Sequence, residues 1–94
     1  MEFWNTITET VEEVSTDINE DGLNQLVVHN DDFNTFDHVI ETLIRVCRHD
    51  LHQAEQCTYL IHYKGKCTVK TGSFDELRPM RQGITEAGIK ATIE

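Results

Sequence analysis

Basic residues are scarce in this chain: eight Lys and Arg stand against seventeen Asp and Glu, for a formal net charge of -9 over 94 residues. Neutralising a phosphate backbone needs clustered cations, so nucleic acid is not an expected partner. No apolar run approaches the roughly 18 to 20 residues of a membrane span, and no membrane partner is expected. The opening Met1-Glu2-Phe3-Trp4 carries neither the basic flank nor the apolar stretch of a secretory signal, which leaves the cytoplasm as the expected location. Three cysteines, Cys47, Cys57 and Cys67, are an odd number, as reduced thiols would be rather than a disulfide framework. There is no nucleophile elbow, phosphate loop or base with its orienting partner, so an enzyme is not expected. Cys47, His49, His52 and Cys57 follow a C-x-H-x2-H-x4-C spacing that is not a zinc pattern. Cys47 and Cys57 fall on apolar helix stripes, where a thiol behaves as a small hydrophobe, so neither metal nor cofactor is expected.

What is present is one domain's worth of chain with one modest core. The charge is unevenly placed. Residues 1–22 hold seven acids and no Lys or Arg, whereas residues 23–94 hold ten acids and eight bases. The first segment reads as a flexible acidic extension. Trp4, Ile7, Val11, Val14 and Ile18 have a helical period, but the β-branched threonines and the lack of basic partners argue against a stable helix.

In the domain, Leu23 to His29 reads as a buried strand around Leu26-Val27-Val28. Asn30-Asp31-Asp32 stop it, since their side chains hydrogen-bond nearby backbone. Thr35 is placed to cap a helix over 36–48, whose apolar residues Phe36, Val39, Ile40, Leu43, Ile44 and Cys47 share one face. Asp37 in its first turn and Arg45 and Arg48 in its last suit the helix dipole. Asp50 caps a second helix, 51–63, that Gly65 ends. Lys66 to Thr71 alternates around Val69 as a half-exposed strand. Ser73 and Glu76 form a capping box for a third helix, which Pro79 and Gly83 are expected to kink or shorten. Ile89 to Ile93 is a closing strand. The order β-α-α-β-α-β predicts an α+β domain with three helices packed on a small antiparallel sheet.

Two polar clusters sit at pinned positions: His29-Asn30-Asp31-Asp32 between strand and helix, and His62-Tyr63 at the end of the second helix. The segments LVVHNDDFNTFDHVIETLI and AEQCTYLIHYKGKCTV together resemble the ClpS family. The shared features are a short apolar strand, Asn-Asp-Asp with an aromatic (Asn30-Asp31-Asp32-Phe33), and a helix. After them come an Ala leading to a His (Ala54 to His62), a Gly and a strand. The resemblance covers residues 23–94.

It implies a non-enzymatic adaptor that binds N-terminal degron residues and delivers substrates to a Clp protease. By that resemblance Asn30, Asp31, Asp32 and His62 gather around a free α-amino group. The chemistry is sound: an ammonium has three donors and wants acceptors from several directions, and charge-assisted bonds are strong. The resemblance maps a hydrophobic pocket onto Asn34, Phe36, Thr58, Ile61 and Ile89. Phe36 and Thr58 stand where the family commonly has Met, and the rigid ring is expected to narrow the choice of first residue. The implied partners are degron-bearing substrates and the N-terminal domain of a ClpA- or ClpC-like AAA+ unfoldase. Asp75, Arg78 and Arg81 are the candidate contacts to that unfoldase. A monomer is expected. The competing reading is a ClpS-like domain that binds an internal segment or a partner protein.

Overall fold

In a computed structural model of the chain, residues 23–94 are described, and the acidic extension lies outside the described residues. The elements follow the expected order: β1 (Asn24–His29), α1 (Phe36–Cys47), α2 (Leu51–Lys64), β2 (Lys66–Gly72), α3 (Phe74–Glu86) and β3 (Ala91–Ile93). β1 is the central strand of a three-stranded antiparallel sheet ordered β2-β1-β3.

The apolar triplet of β1 explains its central place. Leu26 and Val28 join the core beneath the helices, and Val27, also buried, lies on the opposite face because side chains alternate along a strand. β3 pairs Ala91 with Val28 and Ile93 with Leu26, and reciprocal backbone bonds between Gln25 and Glu94 at 2.8 Å extend the ladder. Between β1 and β2 the register shifts, since Leu26 opposes Lys70 while Val27 opposes Thr68. Val69 is therefore the extra residue of a bulge, and its carbonyl accepts a hydrogen bond from His49 Nε2 at 2.8 Å. His49, in the α1–α2 connection, thus covers part of an edge strand that would otherwise offer unpaired groups.

Each helix begins where its cap predicts. Thr35, Asp50 and Ser73 side chains accept from the backbone N–H of His38, Gln53 and Glu76, and Glu76 returns the bond to Ser73 N–H to complete the capping box. Gly65 ends α2 at φ 96, in the left-handed region that favours glycine.

The third helix is not shortened as the sequence suggested it could be. It runs unbroken for 13 residues. Pro79 removes one N–H and leaves the Asp75 carbonyl without its helical donor, but both residues are exposed, so that carbonyl is open to solvent rather than buried unpaired. The capping box and the fully buried Leu77 and Ile84 outweigh the break. Gly83 is a packing residue rather than a stop: a Cβ there would lie 3.2 Å from both Cγ atoms of Val46 on α1.

Candidate functional site

The site is built where three segments converge. The Asn30 N–H donates to Gly65 O at 2.9 Å, which holds the β1–α1 loop against the C-terminal end of α2 and hence beside His62. Asp31 then shapes the loop itself. Its Oδ1 accepts from the backbone N–H of Phe33 and of Asn34, each at 2.8 Å, and its Oδ2 accepts from Asn34 Nδ2 at 2.6 Å. These bonds, the Asn34 backbone bond first, hold the Asp31 carboxyl below its ordinary value against a smaller opposing push from desolvation. Asn34 Nδ2 also donates to Gly88 O at 2.9 Å, and His38 Nε2 donates to Ala87 O at 2.8 Å. The turn after α3 therefore braces both the loop and the first turn of α1.

Between loop, α1 and α2 lies a cavity of about 260 Å³. Val39, Thr58 and Ile61 are its buried lining residues, and Phe36 forms a partly buried wall. Thr58 is polar in name only here: its single hydroxyl proton is given to Ala54 O at 2.7 Å, leaving no donor for a ligand. Asn30, Thr35 and His62 line the cavity from exposed positions, with Asn34 partly buried beside them. The result is an apolar interior with polar groups at its mouth.

An aromatic chain continues outward from Phe36. Its ring meets Tyr59 edge-on at 5.1 Å and His62 at 6.0 Å between centroids, and Tyr59 stacks on Tyr63 at 5.6 Å. The contacts with Phe36 and with Tyr63, the latter at 5.0 Å, set the imidazole of His62 between two rings.

Of the residues singled out from sequence, the cavity collects Asn30, Asn34, Phe36, Thr58, Ile61 and His62. Asp31 lies behind the lining, bonded into its own loop, and Asp32 is exposed on that loop. Ile89 is buried in the core and does not line the cavity. Thr35 and Val39 line it without having been singled out. Val39 was findable, being three residues beyond Phe36 on the same helix face. On α3, Asp75, Arg78 and Arg81 are all exposed. The Arg78 guanidinium covers the Phe74 ring at 5.9 Å, and Arg81 Nε donates to Ala91 O at 3.2 Å, fastening α3 to β3. Among the described residues no cluster of His, Cys, Asp and Glu could hold a metal ion, and no helix is long and apolar enough to cross a membrane.

The family model of the ATP-dependent Clp protease adaptor protein ClpS matches residues 19–92. The chain belongs to the ClpS family. Among its relatives, the ClpS adapter of Vibrio atlanticus (strain LGP32) is 32% identical over 66 residues, which is 70% of this chain and 62% of that protein. Agrobacterium tumefaciens ClpS2, solved bound to L-phenylalaninamide, has the same fold: the TM-score is 0.66 at 20% identity, over 78% of this chain and 95% of that one. By its description the family is one of adaptors to a protease, not of catalysts.

Proposed function

We propose that the cavity receives the side chain of the first residue of a substrate protein while Asn30 and His62 at its mouth bind the free α-amino group. The observation that carries this reading is the placement of exposed polar side chains from separate segments, Asn30 and His62 among them, at the mouth of a cavity whose walls include Phe36, Val39 and Ile61. An N-terminal residue is a molecule of that shape. It has an ammonium with three donors and, one bond away, a side chain that can be apolar. L-phenylalaninamide, the ligand of the Agrobacterium relative, has the same two parts. Asp31 and Asp32 add negative charge to the loop, which favours a cation there.

On this reading the domain hands its substrate to a Clp unfoldase. The exposed Asp75, Arg78 and Arg81 of α3 are the proposed contact with the unfoldase's N-terminal domain. Residues 1–22, uniformly acidic, are the proposed segment that the unfoldase engages. Delivery that survives deletion of residues 2–20 counts against that last assignment.

The binding test is fluorescence anisotropy with labelled peptides that differ only in residue one (Leu, Phe, Tyr, Trp, Ile, Met, Ala), each with a free and an acetylated N-terminus. Bulky free N-termini are expected to bind. Acetylation, Asn30→Ala and His62→Ala are each expected to weaken binding about tenfold or more, equivalent to ~1.4 kcal/mol. Equal binding of acetylated and free peptides would favour the second reading, a ClpS-type domain that takes an internal segment.

A further inference from the structure

Residues 1–22 join the domain at a defined place. Asn24 stands opposite Gly72 at the end of β2, and Gln25 exchanges backbone hydrogen bonds with Glu94 at 2.8 Å. Asn24 Nδ2 also donates to Glu94 O at 3.4 Å. The start of β1 therefore lies between the beginning of α3 and the end of β3. A separate cavity of about 260 Å³ is lined by Phe74, Arg81, Thr92 and Ile93 from those same two elements. Phe74 follows Gly72 by two residues and Ile93 directly precedes Glu94, so this cavity adjoins the point where the acidic extension is attached.

The patch around this cavity combines apolar surface with two arginines. Leu23 and Phe74 are exposed apolar side chains, at 44% and 49%. The Arg78 guanidinium lies over the Phe74 ring at 5.9 Å. Arg81 is pinned through Nε to Ala91 O, which leaves the N–H donors of its two terminal nitrogens for a ligand. Among the described residues neither arginine is paired with a carboxylate. Two nearby acids are engaged elsewhere: Glu76 Oε1 accepts from the Ser73 N–H, and Glu94 Oε2 accepts from the Thr92 hydroxyl.

We infer that residues 11–21 of this chain dock on the α3–β3 face, with Val11, Val14 and Ile18 against Phe74 and Ile93 and with Glu12, Glu13 and Asp17 beside Arg78 and Arg81. Composition and position together select this occupant. Residues 11–21 hold five acids and no base, and their three apolar residues recur at spacings of three and four. Such a segment offers one apolar stripe and carboxylates beside it, and a guanidinium pairs with a carboxylate through a planar fork. The reach suffices: the six residues from Ile18 to Asn24 span up to about 20 Å, whereas Phe74 to Arg81 is about 10 Å of helix. Attachment beside the patch gives an effective concentration on the order of 1 mM, so contacts too weak to hold a separate peptide are enough. The docked segment covers Arg78 and Arg81, so an unfoldase that takes that surface must displace it. This consequence rests on the proposed unfoldase contact, and the docking itself does not.

The test is two-dimensional amide NMR of the isotope-labelled full chain, with no peptide or unfoldase present. Arg78→Gln changes an exposed side chain and is expected to shift the amide signals of residues 11–21, more than fifty residues away in sequence. The triple variant Glu12→Lys, Glu13→Lys, Asp17→Lys is expected to shift those of residues 73–81 and 91–94. Salt at about 1 M, where the Debye length is about 3 Å, should move the wild-type signals at both places in the same sense. Arg45→Gln, at an exposed arginine of α1, should leave residues 11–21 unmoved. If the triple variant moves nothing in residues 73–81 and 91–94, the proposal is overturned. Shifts at residues 30–36 and 58–62 instead would put the segment at the first cavity, and shifts that change with protein concentration would mean that a second copy supplies it. Either result also overturns the proposal, as would an Arg45→Gln effect equal to that of Arg78→Gln.

Discussion

Replacing Asp31 by Ala tests what holds the β1–α1 loop in place. The carboxylate accepts three hydrogen bonds, two from backbone N–H groups and one from Asn34 Nδ2, all at 2.8 Å or less. That is two more than the single bond each helix N-cap of this chain accepts, and removing an N-cap costs about 0.5–2 kcal/mol. Asn34 also loses the partner that orients its bond to Gly88 O. A destabilisation of about 1–2 kcal/mol is expected, which lowers the melting temperature of a domain this size by roughly 4–8 °C per kcal/mol.

The effect has a pH signature. Asp31 titrates below its ordinary value of 3.8 in the folded state, so its contribution is fully present above that value. It is lost as pH falls through the lowered one. The gap in stability between wild type and Asp31→Ala should therefore be constant from pH 7 to about pH 5 and shrink below pH 4. Urea unfolding followed by circular dichroism at several pH values measures it, and peptide anisotropy on the same samples measures the site. Asp31→Asn, which keeps an acceptor oxygen but no charge, is expected to lose less stability than Asp31→Ala. A gap that stays the same down to pH 3, or no loss of stability at all, would refute the account of the loop.

Two further outcomes follow from the same geometry. Phe36→Met replaces the rigid ring beside Tyr59 and His62 with an adaptable side chain and should raise the affinity for Trp-initiated over Leu-initiated peptides about threefold, ~0.6 kcal/mol; an unchanged ratio of the two affinities means that Phe36 does not set specificity. His49→Phe leaves the carbonyl of the Val69 bulge without its donor, but it also removes His49 Nδ1, which is buried with no hydrogen-bond partner. The net loss should be about 1 kcal/mol in urea unfolding, and an unmoved midpoint would show that the bulge does not need His49.

Much of this was readable in the chain because local chemistry and tertiary packing agree. Thr35, Asp50 and Ser73 are strong caps, and the apolar period of residues 36–47 and the triplet Leu26-Val27-Val28 leave little choice of element. The cavity residues were legible for a different reason: Asn30 and His62 meet only because Gly65 O accepts from Asn30 N–H, a contact 35 residues long that periodicity cannot show. The family resemblance supplied that link. What escaped was of two kinds. Pro79 looked like a break because propensity sees the missing N–H but not that Asp75 is exposed to water. The role of His49 escaped because its partner is a carbonyl at a bulge, and a bulge leaves no mark in the sequence of β2.

The turn after α3 shows how a residue can serve the site without lining it. Ile89 mapped to the pocket by resemblance, yet it is buried in the core, and its N–H bonds to Ile84 O. Its neighbours reach the site instead through their backbone. Ala87 O accepts from His38 at the first turn of α1, and Gly88 O accepts from Asn34, a cavity residue. The C-terminal end of α3 is in this way a fixed support for the mouth of the cavity, while the same helix presents Asp75, Arg78 and Arg81 to solvent. A substitution that shifts α3, such as a larger residue at Gly83 against Val46, would disturb the loop through these two carbonyls even though it touches no cavity residue.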